Sequence, residues 1–506
     1  METKALKGVS PLSSSKQQNK PFPVVLVIGI FSLIMLGGFL FMLFAEVPVN
    51  GALSPILDKV SQVHPATAVN ICNEASLQNA ISSTSPGGTI TFSCSGTITL
   101  TSQLVIDKDL TLDGSGQTVT LDGQNSTRIM TTTTGINLTI NSLTFFRGYV
   151  WSGAGINNSG HLTINNSTFS NNIAGSGGVN YGGGIYNTGT LNVNNSTFTN
   201  NSSGTDGGGI YSNSGSTTIT NSTFSANSGN TSTVSNYGTM TVSNSTISNN
   251  SSSGLFNEGN MTVNDSTISN NSYLAGSGIF NEGNLIVNNS TISGNSATEN
   301  GGGVWNYRLG KINITNSTIS GNSAGYAGGG IYNKSPDFNL VNTTVTNNTA
   351  GFSGGGIYHL ENSVSLKSSL LSNNTPQNCL GAQTDQGYNL EYTSGGGANT
   401  CGFTNNAVSA DPLLDPAGLQ NNGGLTKTIA LLSGSPASSK GSCSPGSTDQ
   451  RGIPRKNPCD IGAYESNPSN PLIVTTGTGN GTGSLADALQ QAGQLNSPVP
   501  LFSRST

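Results

Sequence analysis

The stretch Ile279-Phe-Asn-Glu-Gly-Asn-Leu-Ile-Val-Asn-Asn-Ser-Thr-Ile-Ser-Gly-Asn295 decides the fold. A second copy, Ile185-Tyr-Asn-Thr-Gly-Thr-Leu-Asn-Val-Asn-Asn-Ser-Thr-Phe-Thr-Asn-Asn201, repeats its pattern residue for residue. Nine copies begin at Ile156, Ile185, Ile210, Val234, Leu255, Ile279, Val304, Ile331 and Ile357, and the starts are 29, 25, 24, 21, 24, 25, 27 and 26 residues apart. A unit of about 25 residues cannot bury a hydrophobic face alone, so the units must stack. Inside each unit apolar and polar residues alternate, which is the period of a strand. Short strands with no helical stretch between them point to a parallel β-helix.

Aligning the copies turns positions into columns. Four residues before the Asn of Asn-Ser-Thr stand Leu162, Leu191, Thr217, Met240, Met261, Leu285, Ile312, Phe338 and Val364. A second inner column runs from Ile164 to Leu366, and a third contains Phe169, Phe198, Phe224 and then Ile247 to Leu371. Columns of branched and aromatic side chains on one face fill a solenoid core at about 4.8 Å per coil. Two Asn columns accompany them. One runs from Asn166 to Asn342 with Asp265 interposed, and the other runs without exception from Asn172 to Asn374. Stacked amides can bond the coils above and below, and Asn tolerates the left-handed conformation of a sharp corner. The Asn-Ser-Thr triplets also spell glycosylation sequons. With the Asn facing inward a glycan would break the stack, so they read as a by-product of the ladder. Triple-glycine corners at 182–184, 207–209, 301–303, 328–330 and 354–356 precede the first strand of their coils.

Only 8% of residues are charged and the net charge is -5, which gives no basis for a nucleic-acid partner. Lys4, Lys7, Lys16 and Lys20 precede an uncharged run at 22–45. Its 24 residues suffice to span a bilayer core of about 30 Å. The charge asymmetry orients the N-terminus to the cytoplasm. The expected organisation is a cytoplasmic tail at 1–21, a signal anchor at 22–45 and a linker at 46–70. Residues 71–148 form an N-terminal cap, with a short helix, and the first coils. Regular repeats fill 149–374, a disulfide-containing C-terminal part 375–466, and a linker with the truncated start of a second unit 467–506. Cleavage of the signal would instead make the protein secreted. The six cysteines allow fifteen pairings. The long gap from Cys94 to Cys379 favours the sequential set Cys72–Cys94, Cys379–Cys401 and Cys443–Cys459.

The triple-glycine corners and the Phe-x-x-Asn pairs Phe169/Asn172, Phe198/Asn201 and Phe224/Asn227 resemble the repeats of chlamydial polymorphic outer-membrane proteins. Asp411-Pro-Leu-Leu414, Asn422-Gly-Gly424, Gly434-Ser-Pro-Ala437, Thr448-Asp-Gln-Arg-Gly452 and Cys459-Asp-Ile-Gly-Ala-Tyr-Glu465 resemble the bacterial choice-of-anchor Q domain. The resemblance implies a secreted or surface-tethered right-handed parallel β-helix, mostly of unassigned activity.

The fold class expected is therefore all-β, a right-handed parallel β-helix of about 25 residues per coil behind one N-terminal transmembrane helix. For chemistry the sequence offers little. His64, His161 and His359 are far apart, and no set of residues is assigned a catalytic role or a cofactor. Glu258 and Glu282 occupy the same position in adjacent coils and form a weak candidate for a Ca²⁺ site or a retaining-type carboxylate pair, with a solvated turn as the simpler reading. Tyr186, Tyr211, Phe256, Phe280, Trp305, Tyr332 and Tyr358 each follow the first apolar residue of a coil, so by alternation they face outward. Such a stripe binds sugar rings or a protein partner, or it packs under the glycine loops. The functional expectation is a membrane-anchored extracellular surface protein, adhesin-like or structural rather than enzymatic. Its partners are the membrane and a cell-surface polysaccharide or protein. A polysaccharide-binding or polysaccharide-degrading β-helix is the alternative.

Overall fold

The computed structural model describes residues 66–466 apart from 176–177, 360–363, 382 and 395–398, together with the strands Leu472–Val474 and Leu501–Ser503. The expected signal anchor at 22–45, the tail before it and most of the linker lie outside the described residues. So does most of the expected second unit, of which only the two parallel-paired strands are described. Among the described residues no helix is long and apolar enough to cross a membrane.

Three long parallel sheets of 14, 13 and 12 strands run through the repeats. One coil shows the path. Ile156–Asn158 lies in the 12-stranded sheet, His161–Asn165 in the 14-stranded sheet and Thr168–Ser170 in the 13-stranded sheet. The chain then loops back to Ile185, which pairs with Ile156 one coil away. The register follows the sequence columns: Leu162 faces Leu191, then Thr217, then Met240. The result is a parallel β-helix of about 13 turns, in which the degenerate coils before 136 also take part.

Alternation is visible in the burial. Leu191, Val193 and Phe198 are buried while Asn192, Asn194 and Thr199 between and beside them are partly exposed. Phe145, Phe169, Phe198 and Phe224 stack face to face with successive centroids 4.6 Å apart. Burying each such side chain contributes about 1.5–3 kcal/mol. At the N-terminal end the helix Glu74–Ser83 closes the stack. Asn73 caps it by accepting the Ser76 N–H at 2.8 Å, and Leu77 enters the continuous core. The helix covers a coil edge that would otherwise present unpaired backbone groups.

The two Asn columns have separate roles. The column starting at Asn172 is fully buried and forms the ladder. Asn201 Nδ2 donates to Asn227 Oδ1 at 3.0 Å and to the Phe169 carbonyl at 2.9 Å, while its Oδ1 accepts the Asn172 N–H at 3.1 Å. The same pattern continues to Asn374, whose Nδ2 donates to Asn378 Oδ1. The column starting at Asn166 instead supplies left-handed corners, with φ of 50° at Asn166, 49° at Asn195 and 50° at Asn221. Its early members, Asn166, Asn195, Asn221 and Asn244, are exposed. This corrects the expectation that the sequon corners face inward: a left-handed residue turns the chain, and the Ser after it occupies the interior. Ser167, Ser196 and Ser222 are buried and form a ladder of their own: Ser196 Oγ accepts the Ser167 N–H, Ser222 Oγ accepts the Ser196 N–H, and Ser167 Oγ accepts the Leu143 N–H at the start. A further buried Asn ladder, unforeseen in the sequence, runs through Asn236, Asn257, Asn281, Asn306 and Asn333.

All three disulfides form between the sequential cysteines. Beyond Asn374 one more coil is completed by Cys379–Leu380, Gln383–Asp385 and Leu390–Tyr392. The chain then turns back and lies along the corner of the 13-stranded sheet. Thr426 Oγ1 donates to the Asn289 carbonyl, Asn316 Nδ2 to the Thr448 carbonyl, and the Ala463 N–H to Thr344 Oγ1. Segment 411–465 is thus a strap across several coils. It covers Asn342, whereas Asn166, Asn195, Asn221 and Asn244 earlier in the column are exposed.

Candidate binding face

The aromatic stripe is real, and it lies outside the inner core. Ring centroids are 5.5 Å apart for Tyr186–Tyr211, 5.2 Å for Phe256–Phe280, 4.5 Å for Phe280–Trp305, 6.2 Å for Trp305–Tyr332 and 5.1 Å for Tyr332–Tyr358. Between Tyr211 and Phe256 the equivalent position is Ser235. Tyr237, two residues later, swings its ring into that gap, 5.1 Å from Tyr211 and 5.5 Å from Phe256.

Most of this column is covered. Tyr211 is 5% exposed, Phe256 6%, and Tyr332 and Tyr358 8% each. The glycine loops lie directly on it. Gly207 adopts φ 66°, and a Cβ there would stand 2.7 Å from the Tyr211 Cβ. Packing under the loops is therefore the main role of the stripe, and only Tyr186, Phe280 and Trp305 remain partly open. The openly accessible rings are on the loop rim. Tyr326 and Phe352 are 50% and 60% exposed and stack in parallel at 4.9 Å. They were missed in the sequence because they fall in the loops, outside the strand columns, although both occupy the same place in Ser-Ala-Gly-Tyr and Thr-Ala-Gly-Phe.

Glu258 and Glu282 do sit in adjacent coils, since Asn257 pairs with Asn281. Glu258 is exposed, whereas Glu282 is partly buried and pairs with Arg308 at 2.6 Å. Burial raises the Glu282 carboxyl above its ordinary range, as does Glu258, and Arg308 opposes both. Among the described residues no three His, Cys, Asp or Glu side chains converge as metal ligands would. A buried carboxylate without an ion pair among the described residues is a separate candidate.

Such a carboxylate exists at Asp206, which sequence reading passed over. It is 7% exposed and sits at the edge of the stripe. The Tyr237 hydroxyl lies 3.4 Å from its Oδ2, whereas Oδ1 is buried without a hydrogen-bond partner. Burial raises its pKa, with Thr231 and Tyr237 opposing. The same burial, with nearby acidic groups, raises Tyr211 and Tyr237. The signal was available in the repeat: coils that hold Ala327 and Ser353 at the matching place have an acid here.

The strap is held by a buried ionic cluster. Arg451 pairs with Asp449 at 2.7 Å and lies over the Tyr464 ring, and Arg455 reaches Glu465 at 3.5 Å and the Gly462 carbonyl at 2.7 Å. Burial is the first cause that raises Glu465, to about 7, with Asp460 next. Burial and the neighbouring Asp460 and Asp449 carboxylates together outweigh the attraction of Arg455, which sets the direction.

Among solved structures the chain is similar to a pectate lyase, Pel9A, at 14% identity, covering 80% of this chain and 98% of that one with a TM-score of 0.37. It is similar to a variant of the alginate lyase AlyGC at 13% identity, with 69% and 54% covered and a TM-score of 0.33. The Dettilon tailspike protein gives 15% identity, 67% and 65% covered and a TM-score of 0.32. No curated protein matches the chain. Residues 152–317 match the family described as the right handed beta helix region, which gives the stack of parallel coils its hand.

Proposed function

We propose that this chain is a membrane-anchored, extracytoplasmic β-helix of the choice-of-anchor Q type that acts as a non-catalytic adhesin-like or spacer element. The observation that carries the reading is the cysteine chemistry. All six cysteines close three bridges, one tying the N-terminal helix to the first coil and two in and beyond the last coil. Bridges of this kind persist in oxidising compartments. The lysines before 22–45 favour retention at the membrane with the solenoid outside. Most buried Asn and Ser side chains of the described repeats serve ladders and corners, and the solvent-facing surface is left for contact. External protease on intact cells should remove the solenoid and leave a small membrane-bound fragment. Recovery of most of the protein in the medium would instead support a cleaved signal.

A second reading, polysaccharide binding, is favoured by the exposed Tyr326/Phe352 pair, since parallel open rings offer a face to a sugar ring. A carbohydrate-array screen with the Tyr326→Ala and Phe352→Ala variants tests it. An assay for reducing ends and unsaturated products on any bound glycan separates binding from cleavage.

A further inference from the structure

We propose that the corner formed by Asn180, Ser203 and Asp206 binds one hard divalent cation of the Ca²⁺ type through side-chain oxygens. Asp206 is the starting point. Buried charges are normally paired or bound to metal. Other buried acids in the chain obey this: Asp122 pairs with Arg147, and Asp449 with Arg451. Glu391 has no ion pair among the described residues but is fully met by hydrogen bonds, accepting the Thr400 N–H at 2.9 Å, the Thr400 hydroxyl at 2.7 Å and the Cys401 N–H at 2.9 Å. Asp206 makes no ion pair with the described residues; Thr231 and the Tyr237 hydroxyl are its hydrogen-bonding neighbours, and its Oδ1 is buried without a partner.

Two more buried oxygens without partners belong to the same corner, Asn180 Oδ1 and Ser203 Oγ. Asn180, Ser203 and Asp206 are 6%, 9% and 7% exposed. Their loops are locked together. The Asn180 N–H donates to Thr205 Oγ1 at 3.0 Å, and the Thr205 N–H donates to the Asn180 carbonyl at 2.9 Å. A Cβ on Gly204 would stand 2.8 Å from Asn180 Nδ2, so the carboxamide lies against the turn between Ser203 and Asp206.

The repeat marks the corner as a departure. Ser203 pairs with Ala174, and the corresponding places of later coils hold Ala297, Ala324 and Ala350. Asp206 falls where later coils have Ala327 and Ser353. At Ser203 a hydroxyl thus replaces the methyl of Ala174, Ala297, Ala324 and Ala350, while Asp206 is the one acid in a column that also holds Ser152, Tyr181, Ala327 and Ser353; such local departures accompany function. One carboxylate with neutral amide and hydroxyl oxygens is a hard-cation donor set. The low charge count places its affinity in the weak range of extracellular modules, about 10⁻⁴–10⁻³ M. Protonated Asp206 with an ordered water is the competing state.

Terbium serves as the probe, because Tyr181, Tyr211 and Tyr237 beside the corner can sensitise its emission. With the intact protein, emission on tyrosine excitation should saturate and be displaced by Ca²⁺. It should vanish in Asp206→Asn and persist in Glu282→Gln. Ca²⁺ should raise the melting temperature of the wild type and leave that of Asp206→Asn unchanged. If Asp206→Asn does not fold, Ser203→Ala and Asn180→Ala should each weaken Ca²⁺ competition several-fold. Absence of saturable emission, emission unchanged by these variants, or a melt of Asp206→Asn raised without any metal response would overturn the proposal.

Discussion

Asn250→Leu isolates the ladder. The Asn250 side chain is buried and makes four bonds. Its Oδ1 accepts the Asn227 N–H at 2.8 Å and Asn227 Nδ2 at 3.2 Å. Its Nδ2 donates to the Phe224 carbonyl at 3.1 Å and to Asn271 Oδ1 at 2.8 Å. Leucine has a similar volume, so no large cavity opens. Asn227 Nδ2 keeps its bond to the Phe198 carbonyl, and Asn271 Oδ1 keeps the Asn250 N–H. The Asn227 N–H and the Phe224 carbonyl lose these bonds. At about 1–3 kcal/mol for each orphaned buried group, the cost is about 2–6 kcal/mol. The control is Asn244→Gly. Asn244 is an exposed corner at φ 49°, where glycine fits, so its change should stay within about 1 kcal/mol. Guanidinium unfolding of both variants beside the wild type measures the difference in midpoint. Equal losses, or a harmless Asn250→Leu, would refute the assignment of the two columns.

Removing the strap bridge with Cys443→Ser and Cys459→Ser should cost about 3 kcal/mol in the chain-entropy model, and limited proteolysis should then cut within 411–465 while sparing 156–280. The folded Glu465 pKa of about 7 lies above the ordinary 4.5, so its contribution is full below about pH 4.5 and is lost as pH rises through about 7. Strap docking followed by hydrogen exchange should accordingly weaken from pH 5 to pH 8, by up to roughly 3 kcal/mol, and Glu465→Gln should flatten that profile. Glu282→Gln removes a partly exposed pair with Arg308 and should shift stability by no more than about 1 kcal/mol.

The sequence is legible where the physics repeats. Inner columns, strand order, register and the N-terminal helix all follow from alternation and period, because each coil must satisfy the same constraints as its neighbour. The two Asn columns were visible, but their division of labour was not: Asn tolerates a left-handed corner and also makes a ladder, and burial alone separates the two at Asn166 and Asn172. The strap was illegible because its contacts, such as those of Gln450 and Arg455, join residues far apart in sequence and carry no period. Outward alternation correctly placed Tyr211 and Phe256 off the core. It could not show that glycine loops close over them, which is a long-range contact. Asp206 was legible only as a break in a loop column, and loop lengths differ from coil to coil.

The coil register is the central claim, and paired cysteines test it most directly. Thr241 pairs with Thr262 in the next coil, and Thr262 pairs with Ile286 in the one after. Adjacent coils lie about 4.8 Å apart, within reach of a disulfide, and two coils lie beyond it. Mild oxidation followed by non-reducing peptide mapping should find a bridge in Thr241→Cys/Thr262→Cys and none in Thr241→Cys/Ile286→Cys. A bridge in the second variant, or in neither, would contradict the stack.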